Sequence, residues 1–301
     1  QKTAYEITYG DWSSDVCSSN LIGSLEGISL LTASANKFKI NYCNKFPNPS
    51  ENTLSVVRAL INEYPDSIVF LGALYQKGIY CYNYRKGITK NISYPDKNSL
   101  LAVLQFIPVV NQSHFYYACT DTGLLMFDAL KQRLMQPTGV PDTLLNILKQ
   151  NKVFSADVDK HNNIWFCTNQ EIVCYDPVKS KVQFFSKLLS AFPEKKVLMS
   201  SCLDNENNLW LNYFPYGVIK ISPEKQNAEL INLKSKSVEI HSLVEDMIAD
   251  NKGRIWMVLK GTGIAVYNMK DAAIKYLSTG DGLSNSNSTG IAKDDKGRIW
   301  V

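Results

Sequence analysis

A seven-residue phrase recurs four times along this chain: Asp159-Lys-His-Asn-Asn-Ile-Trp165, Asp204-Asn-Glu-Asn-Asn-Leu-Trp210, Asp250-Asn-Lys-Gly-Arg-Ile-Trp256 and Asp294-Asp-Lys-Gly-Arg-Ile-Trp300. Asp stands six residues before Trp each time, and Gly or Asn stands three before it. The tryptophans at 165, 210, 256 and 300 are spaced by 45, 46 and 44 residues. A period of that length built from short strands is the mark of propeller blades. The phrase reads as a strand, a polar turn and a second strand opened by Ile-Trp. Gly253 and Gly297 fall where the turn needs positive φ, and Asn162 and Asn207 are the next most tolerant residues there. The carboxylate is placed to accept backbone N–H bonds within the turn. The indole supplies an apolar face for packing between sheets. A calcium loop fits poorly, because it needs oxygen ligands at alternate positions and a distal Glu.

The repeat extends over most of the 301 residues. The expected fold is all-β: a β-propeller of four-stranded antiparallel blades. Five complete units start near residues 54, 100, 144, 197 and 243. Half-blades flank them, with 27–31 and 38–42 as the last two strands of one and 288–301 as the opening of another. Val69 and Tyr117 fall at the Trp site of the first two units. Two stretches, 53–63 and 143–150, compete as helices; strand, or loop followed by strand, is expected for both.

The composition is that of an ordinary globular chain, with 45% hydrophobic and 20% charged residues. A net charge of +4 without a basic cluster gives no case for nucleic acid. No apolar run reaches membrane-spanning length. The seven cysteines contain no C-x-x-C pair. Cys119 and Cys167 share one repeat position and Cys81 and Cys174 another, so they read as small buried hydrophobes. His114, His161 and His241 show no metal-ligand spacing. Neither a metal nor a cofactor is expected.

Residues 10–21 break the pattern. They resemble one reading frame of a sequencing adapter, and 1–21 are expected to be a non-native or disordered segment, an assembly artefact, before a propeller domain at 22–301. With no initiator Met, and with Val301 one residue after a repeat Trp, the chain is expected to be a fragment cut at both ends.

The stretch Gly282-Leu-Ser-Asn-Ser-Asn-Ser-Thr-Gly-Ile-Ala-Lys-Asp-Asp-Lys-Gly-Arg-Ile-Trp300 resembles the two-component regulator propeller repeat, and Gly139-Val-Pro-Asp-Thr-Leu-Leu145 is a looser copy of its lead-in. The resemblance covers about 25–301, and is weakest where Val69 and Tyr117 replace Trp. It implies a seven-bladed propeller in the periplasmic sensor of a Bacteroidetes-type hybrid two-component histidine kinase. It also implies oligosaccharide sensing, a homodimeric parent protein and signalling to kinase, receiver and DNA-binding parts that this chain lacks.

An enzyme is the main rival, and it is not expected. Of the Asp-box spacing of sialidases only Asp295 with Gly297 is present, and Arg254 and Arg298 are used in turns. No nucleophile elbow, P-loop or dinucleotide fingerprint occurs. A ligand is expected on the loops joining second to third strands. The candidate contacts are Tyr75, Lys77, Asp121, Gln170, Tyr213, Phe214, Tyr216 and Lys260, because aromatic faces beside amides and charges suit sugar rings. The alternative is a structural or dimerisation propeller without its own ligand.

Overall fold

The computed structural model describes residues 19–24, 27–34, 37–43, 57–63, 68–73, 78–83, 89–93, 101–192, 200–213, 217–233, 242–283, 285–288, 290–293 and 297–301. The chain divides into two compact units, one ending at Gly139 and one running from Val140 to Val301.

In the first unit, β1 (Ser19–Ser24), β2 (Gly27–Ser34) and β3 (Lys37–Cys43) form a three-stranded antiparallel meander. Two four-stranded meanders follow. One is β4 (Val57–Glu63), β5 (Ile68–Ala73), β6 (Ile79–Asn83) and β7 (Thr89–Ile92). The other is β8 (Val103–Pro108), β9 (Phe115–Thr120), β10 (Gly123–Asp128) and β11 (Arg133–Met135). The second unit opens on a helix, α1 (Asp142–Gln150), and continues with β12 (Val153–Val158), β13 (Ile164–Thr168), β14 (Ile172–Asp176) and β15 (Lys181–Phe184). Next come β16 (Ser201–Leu203), β17 (Leu209–Tyr213), β18 (Gly217–Ser222) and β19 (Asn227–Ile231). Then follow β20 (Val244–Ala249), β21 (Arg254–Leu259), β22 (Gly263–Asn268) and β23 (Ala273–Leu277), and finally the pair β24 (Ala292–Lys293) and β25 (Ile299–Trp300).

The described residues thus hold five four-stranded antiparallel sheets, each in simple up-and-down order. The first strands of successive sheets lie side by side: β1, β4 and β8 in one unit, β12, β16 and β20 in the other. This is blade-on-blade packing, and the expected all-β, propeller-like architecture holds. β1 starts at Ser19 and gives the opening sheet a third strand, where two were expected. Residues 1–18, most of the adapter-like segment, lie outside the described residues.

The turn phrase is a clamp closed by the Asp carboxylate. Asp204 Oδ1 accepts the N–H groups of Glu206 and Asn208, both at 2.9 Å. Its Oδ2 accepts Trp210 Nε1–H at 2.8 Å and Asn208 Nδ2–H at 2.9 Å. Asp159 does the same with His161, Asn163 and Trp165, and Asp250 with Lys252, Arg254 and Trp256. The six-residue interval from Asp to Trp is therefore the reach of one carboxylate across a hairpin to an indole N–H. Asn162, Asn207, Gly253 and Gly297 all take positive φ, between 61° and 75°. His114 takes the same conformation, at φ 64°, so His114 and His161 are both turn residues. Asp294 and His241 lie outside the described residues.

Aromatic residues then tie one sheet to the next. The Trp210 ring lies 5.4 Å from Tyr267 of the following sheet. In the first unit the corresponding pair is Phe70 and Phe127, at 4.8 Å. Phe70 faces Cys81 across β5–β6, as Trp165 faces Cys174 across β13–β14. Phe70, not Val69, therefore occupies the Trp site, one residue on from its expected place. Val and Phe are adjacent and both apolar, so the one-residue choice was decided by pairing register. Tyr117 is at the site as expected, buried and facing Met126. The cysteine equivalences also hold, and Cys81, Cys119, Cys167, Cys174 and Cys202 are buried free thiols.

The stretch at 143–150 is a helix, against the expectation of strand. Pro141 precedes its first turn, Asp142 lies in that turn and Lys149 in the last, all favourable placements. Leu144, Leu145 and Leu148 form the buried stripe at helical spacing, with Leu144 and Leu148 at 0% exposure. Full burial of the stripe decides the ambiguity that periodicity alone leaves open. In the other ambiguous stretch, 57–63 is strand β4, as expected.

Candidate functional site

In three of the described sheets the loop after the second strand is bonded to the start of the first. Asp121 N–H donates to Ala102 O at 3.1 Å, and Asp121 Oδ1 accepts Ala102 N–H at 3.0 Å. Asn169 N–H donates to Lys152 O at 3.2 Å, and Lys260 N–H to Leu243 O at 2.9 Å. These loops and the entries of the inner strands therefore share one end of each of these three sheets. Three of the expected contacts, Asp121, Gln170 and Lys260, lie there. Gln170 and Lys260 are exposed, and Lys260 Nζ sits 3.6 Å from Glu245 Oε1, an ion pair whose carboxylate side chain is only 8% exposed. Tyr213 is fully buried, with its ring 5.9 Å from Phe192, so it is a core residue with no face for a soluble ligand. Its place at the end of β17, where every residue is buried, explains this. Tyr75, Lys77, Phe214 and Tyr216 lie outside the described residues.

The same end of the inner strands carries a repeated β-bulge. Pairing skips one residue between Val57 and Ala59, between Val103 and Gln105, between Val153 and Ser155, and between Val244 and Asp246. The extra residues are Arg58, Leu104, Phe154 and Glu245. Val103, Val153 and Val244 before them are 0% exposed, while Leu104, Phe154 and Glu245 are half-buried. Lys152 Nζ lies 4.8 Å from the centre of the Phe154 ring. Sequence reading singled out none of these positions. A Val six residues before the turn Asp was visible in two units, but a bulge leaves no mark in hydrophobic period.

Below the bulge, the second unit holds a polar seam between β12 and β16. Ser201 Oγ donates to Asp157 Oδ2 at 2.7 Å, and Ser155 Oγ lies 2.9 Å from Ser201 Oγ. Since the Ser201 proton goes to the carboxylate, Ser155 donates to Ser201. Burial pushes the Asp157 carboxyl up to about 6, against the favourable bond from Ser201. Burial and the nearby Asp157 charge push the Cys167 thiol up to about 12. Asp157 faces Trp165 across the strands, where the other sheets place Ile107, Cys202, Ile248 and Ala292. One sheet on, Asn212 Nδ2–H donates to Val244 O at 3.0 Å, while Asn212 Oδ1 and Ser200 Oγ are buried without a hydrogen-bond partner. Among the described residues no three His, Cys, Asp or Glu side chains are grouped to hold a metal ion.

Fold and turn chemistry together define a propeller-like repeat protein, and known structures share the arrangement. Two crystal structures of the extracellular domain of BT4673 from B. thetaiotaomicron, assigned as a one-component and as a hybrid two-component system, align with TM-scores of 0.66 and 0.65 at 16% and 15% identity. Each covers 99% of this chain and 38% of the other. The extracellular domain of the hybrid two-component system BT3049 from the same organism aligns with a TM-score of 0.65 at 12% identity, covering 94% of this chain and 37% of the other. This chain thus spans well under half the length of those structures, and at such identities the likeness shows the fold. No family model matches the chain, and no curated protein matches its sequence. No helix among the described residues is long and apolar enough to cross a membrane.

Proposed function

We propose that this chain is a non-catalytic sensor segment from the periplasmic part of a hybrid two-component regulator, one that binds oligosaccharides and signals to a kinase module elsewhere in its parent protein. The observation that carries the reading is the shared fold over 99% of the chain with an extracellular domain of such a system. The resemblance of 282–300 to the two-component regulator propeller repeat points the same way from the sequence. On this reading the parent propeller has seven blades and the parent protein is a homodimer. The ligand face is the end of the sheets where the second-to-third-strand loops meet the inner strands. In the Val140–Val301 unit that end offers the exposed amide of Gln170, the Lys260–Glu245 pair and the half-buried Phe154 ring; in the first unit it offers Asp121. An enzymatic reading gains nothing from the candidate acid–base groups: His114 and His161 are turn residues, and Arg254 is held by Asp250 at 2.6 Å.

The test is the intact gene, sequenced from genomic DNA through both ends of this reading frame and through residues 10–21. A membrane helix and a histidine kinase downstream in frame are expected. A catalytic glycan-cleaving domain in their place would refute the sensor reading.

A further inference from the structure

We propose that in the Val140–Val301 unit the bulged residues of the inner strands, Phe154 and Glu245, are the specificity-determining contacts that read a carbohydrate ligand. The ligand class rests on the sensor reading above; the choice of residues does not.

The repeat serves as its own control. Four sheets bulge at the same register position, so the backbone there is constant. The residue before the bulge is constant too: Val57, Val103, Val153 and Val244, with the last three fully buried. A buried Val anchoring the strand entry is a packing requirement, and it shows as one. The extra residue is a cation in one sheet, an aliphatic in the next, an aromatic in the third and an anion in the fourth. A position with fixed geometry and unrestricted chemistry is one the fold does not need to specify. Bulges re-aim side chains out of the ladder and gather beside functional sites. Here they sit at the end of the sheets that also carries the loops of Asp121, Gln170 and Lys260.

In the second unit β12, β16 and β20 lie side by side, which sets Phe154 and Glu245 at equivalent heights on the two flanking strands. Phe154 offers an aromatic surface, with the Lys152 ammonium 4.8 Å from its centre. Glu245 offers carboxylate oxygens to hydroxyl donors. Its partner Lys260 is 70% exposed at 3.6 Å and free to turn to a ligand, while the Glu245 side chain, 8% exposed, is held in place with its carboxylate at the edge of the strand entry. An apolar platform with its ammonium at β12, and an acceptor paired with a second ammonium two inner strands on, suit a chain molecule with C–H faces and a rim of hydroxyls. That is the chemistry of a pyranose or furanose chain.

The test uses the purified 301-residue chain on an array of neutral and acidic oligosaccharides, followed by calorimetric titration of the strongest hit and thermal melts of every variant. Wild type is expected to bind a member of the array. Phe154→Ala and Glu245→Gln are each expected to weaken that binding at least about tenfold with unchanged melting midpoints, and Phe154→Tyr to retain it. Unchanged affinity in both Phe154→Ala and Glu245→Gln would overturn the proposal and leave the sensor reading standing. A large fall in their melting midpoints would overturn it as well, by showing the position to be structural. If wild type binds no sugar on the array, the ligand class is wrong. The gene test then separates that result from a failure of the sensor reading.

Discussion

Asp157→Asn should make this protein more stable at neutral pH and leave it unchanged in acid. Asp157 is a carboxylate at a position where the other described sheets place apolar residues, and its one described hydrogen-bond donor is Ser201 Oγ at 2.7 Å. Burial raises its pKa from an ordinary 3.8 to about 6. The sign follows by linkage. Between those two values the folded protein binds a proton that the unfolded chain has released, so stability falls as pH rises through the window. Two pH units at ~1.4 kcal/mol each set an upper bound of ~3 kcal/mol. The side chain keeps some contact with solvent, so we take about 1–3 kcal/mol. Asparagine carries no charge to desolvate, and its Oδ1 still accepts the Ser201 proton. The neighbouring thiols do not confuse the assay: burial pushes Cys167 to about 12 and raises Cys202 far above its usual value, so both stay neutral. Urea denaturation at pH 4 and pH 7.5 gives the readout. The variant should exceed wild type by about 1–3 kcal/mol at pH 7.5, with the two curves converging at pH 4. A variant that is less stable at pH 7.5, or that differs by the same amount at both pH values, would show the reasoning to be wrong.

Three further outcomes are expected. Ser201→Ala removes the one described hydroxyl donor to the ionised carboxylate and should destabilise more at pH 7.5 than at pH 4, by about 1–3 kcal/mol at the higher value; equal losses would refute it. Asp204→Ala strands the buried Trp210 Nε1–H and Asn208 N–H, and should cost about 2–5 kcal/mol in urea melts. A loss below about 1 kcal/mol would mean the clamp is dispensable. Gly217→Ala places a Cβ 2.3 Å from Ile231 O at φ +121°, so the backbone of two strands must separate. It should lower the melting midpoint far more than Gly139→Ala, whose Cβ meets nothing within 4 Å.

What the sequence disclosed and what it hid divide along one physical line. The Asp–Trp interval, the positive-φ turn position and the cysteine equivalences are local or strictly periodic, and each was legible. The clamp's Trp N–H bond was implicit in the same spacing. Long-range packing decided the rest. Val69 and Phe70 are equally apolar, and only pairing with Cys81 selects Phe70. Residues 143–150 are helix because Leu144 and Leu148 are buried together, which a short apolar run cannot announce. Tyr213 looked like a loop aromatic because Phe-Pro-Tyr follows it, yet it ends a strand whose residues are all buried. Of the expected ligand face, the loops were legible from strand order. The bulge residues were not, since one unpaired residue leaves hydrophobic alternation almost unaltered.

The departures from the repeat are where function is best sought, because the blade already shows what folding requires. The described four-stranded sheets share an aromatic residue at the indole site, joined in three of them by the turn Asp and in four by a Val at the strand entry. They do not share Asp157, whose ionisation opposes folding above about pH 6. Nor do they share Ser200 Oγ and Asn212 Oδ1 left unpartnered in the interior, at about 1–3 kcal/mol for each unsatisfied buried group. Asp157 lies on β12, Ser200 at the entry to β16 and Asn212 on β17. A further unpartnered buried atom, Tyr276 Oη, lies on β23, but Asp157, Ser200 and Asn212 fall on neighbouring strands, and polar groups that oppose folding and sit together are expected of a binding face and not of a spacer. If Asp157→Asn together with Asn212→Leu gave a more stable protein that bound its sugar as tightly as wild type, the polar seam would be an accident of drift. If stability rose while affinity fell, the seam would be part of the site.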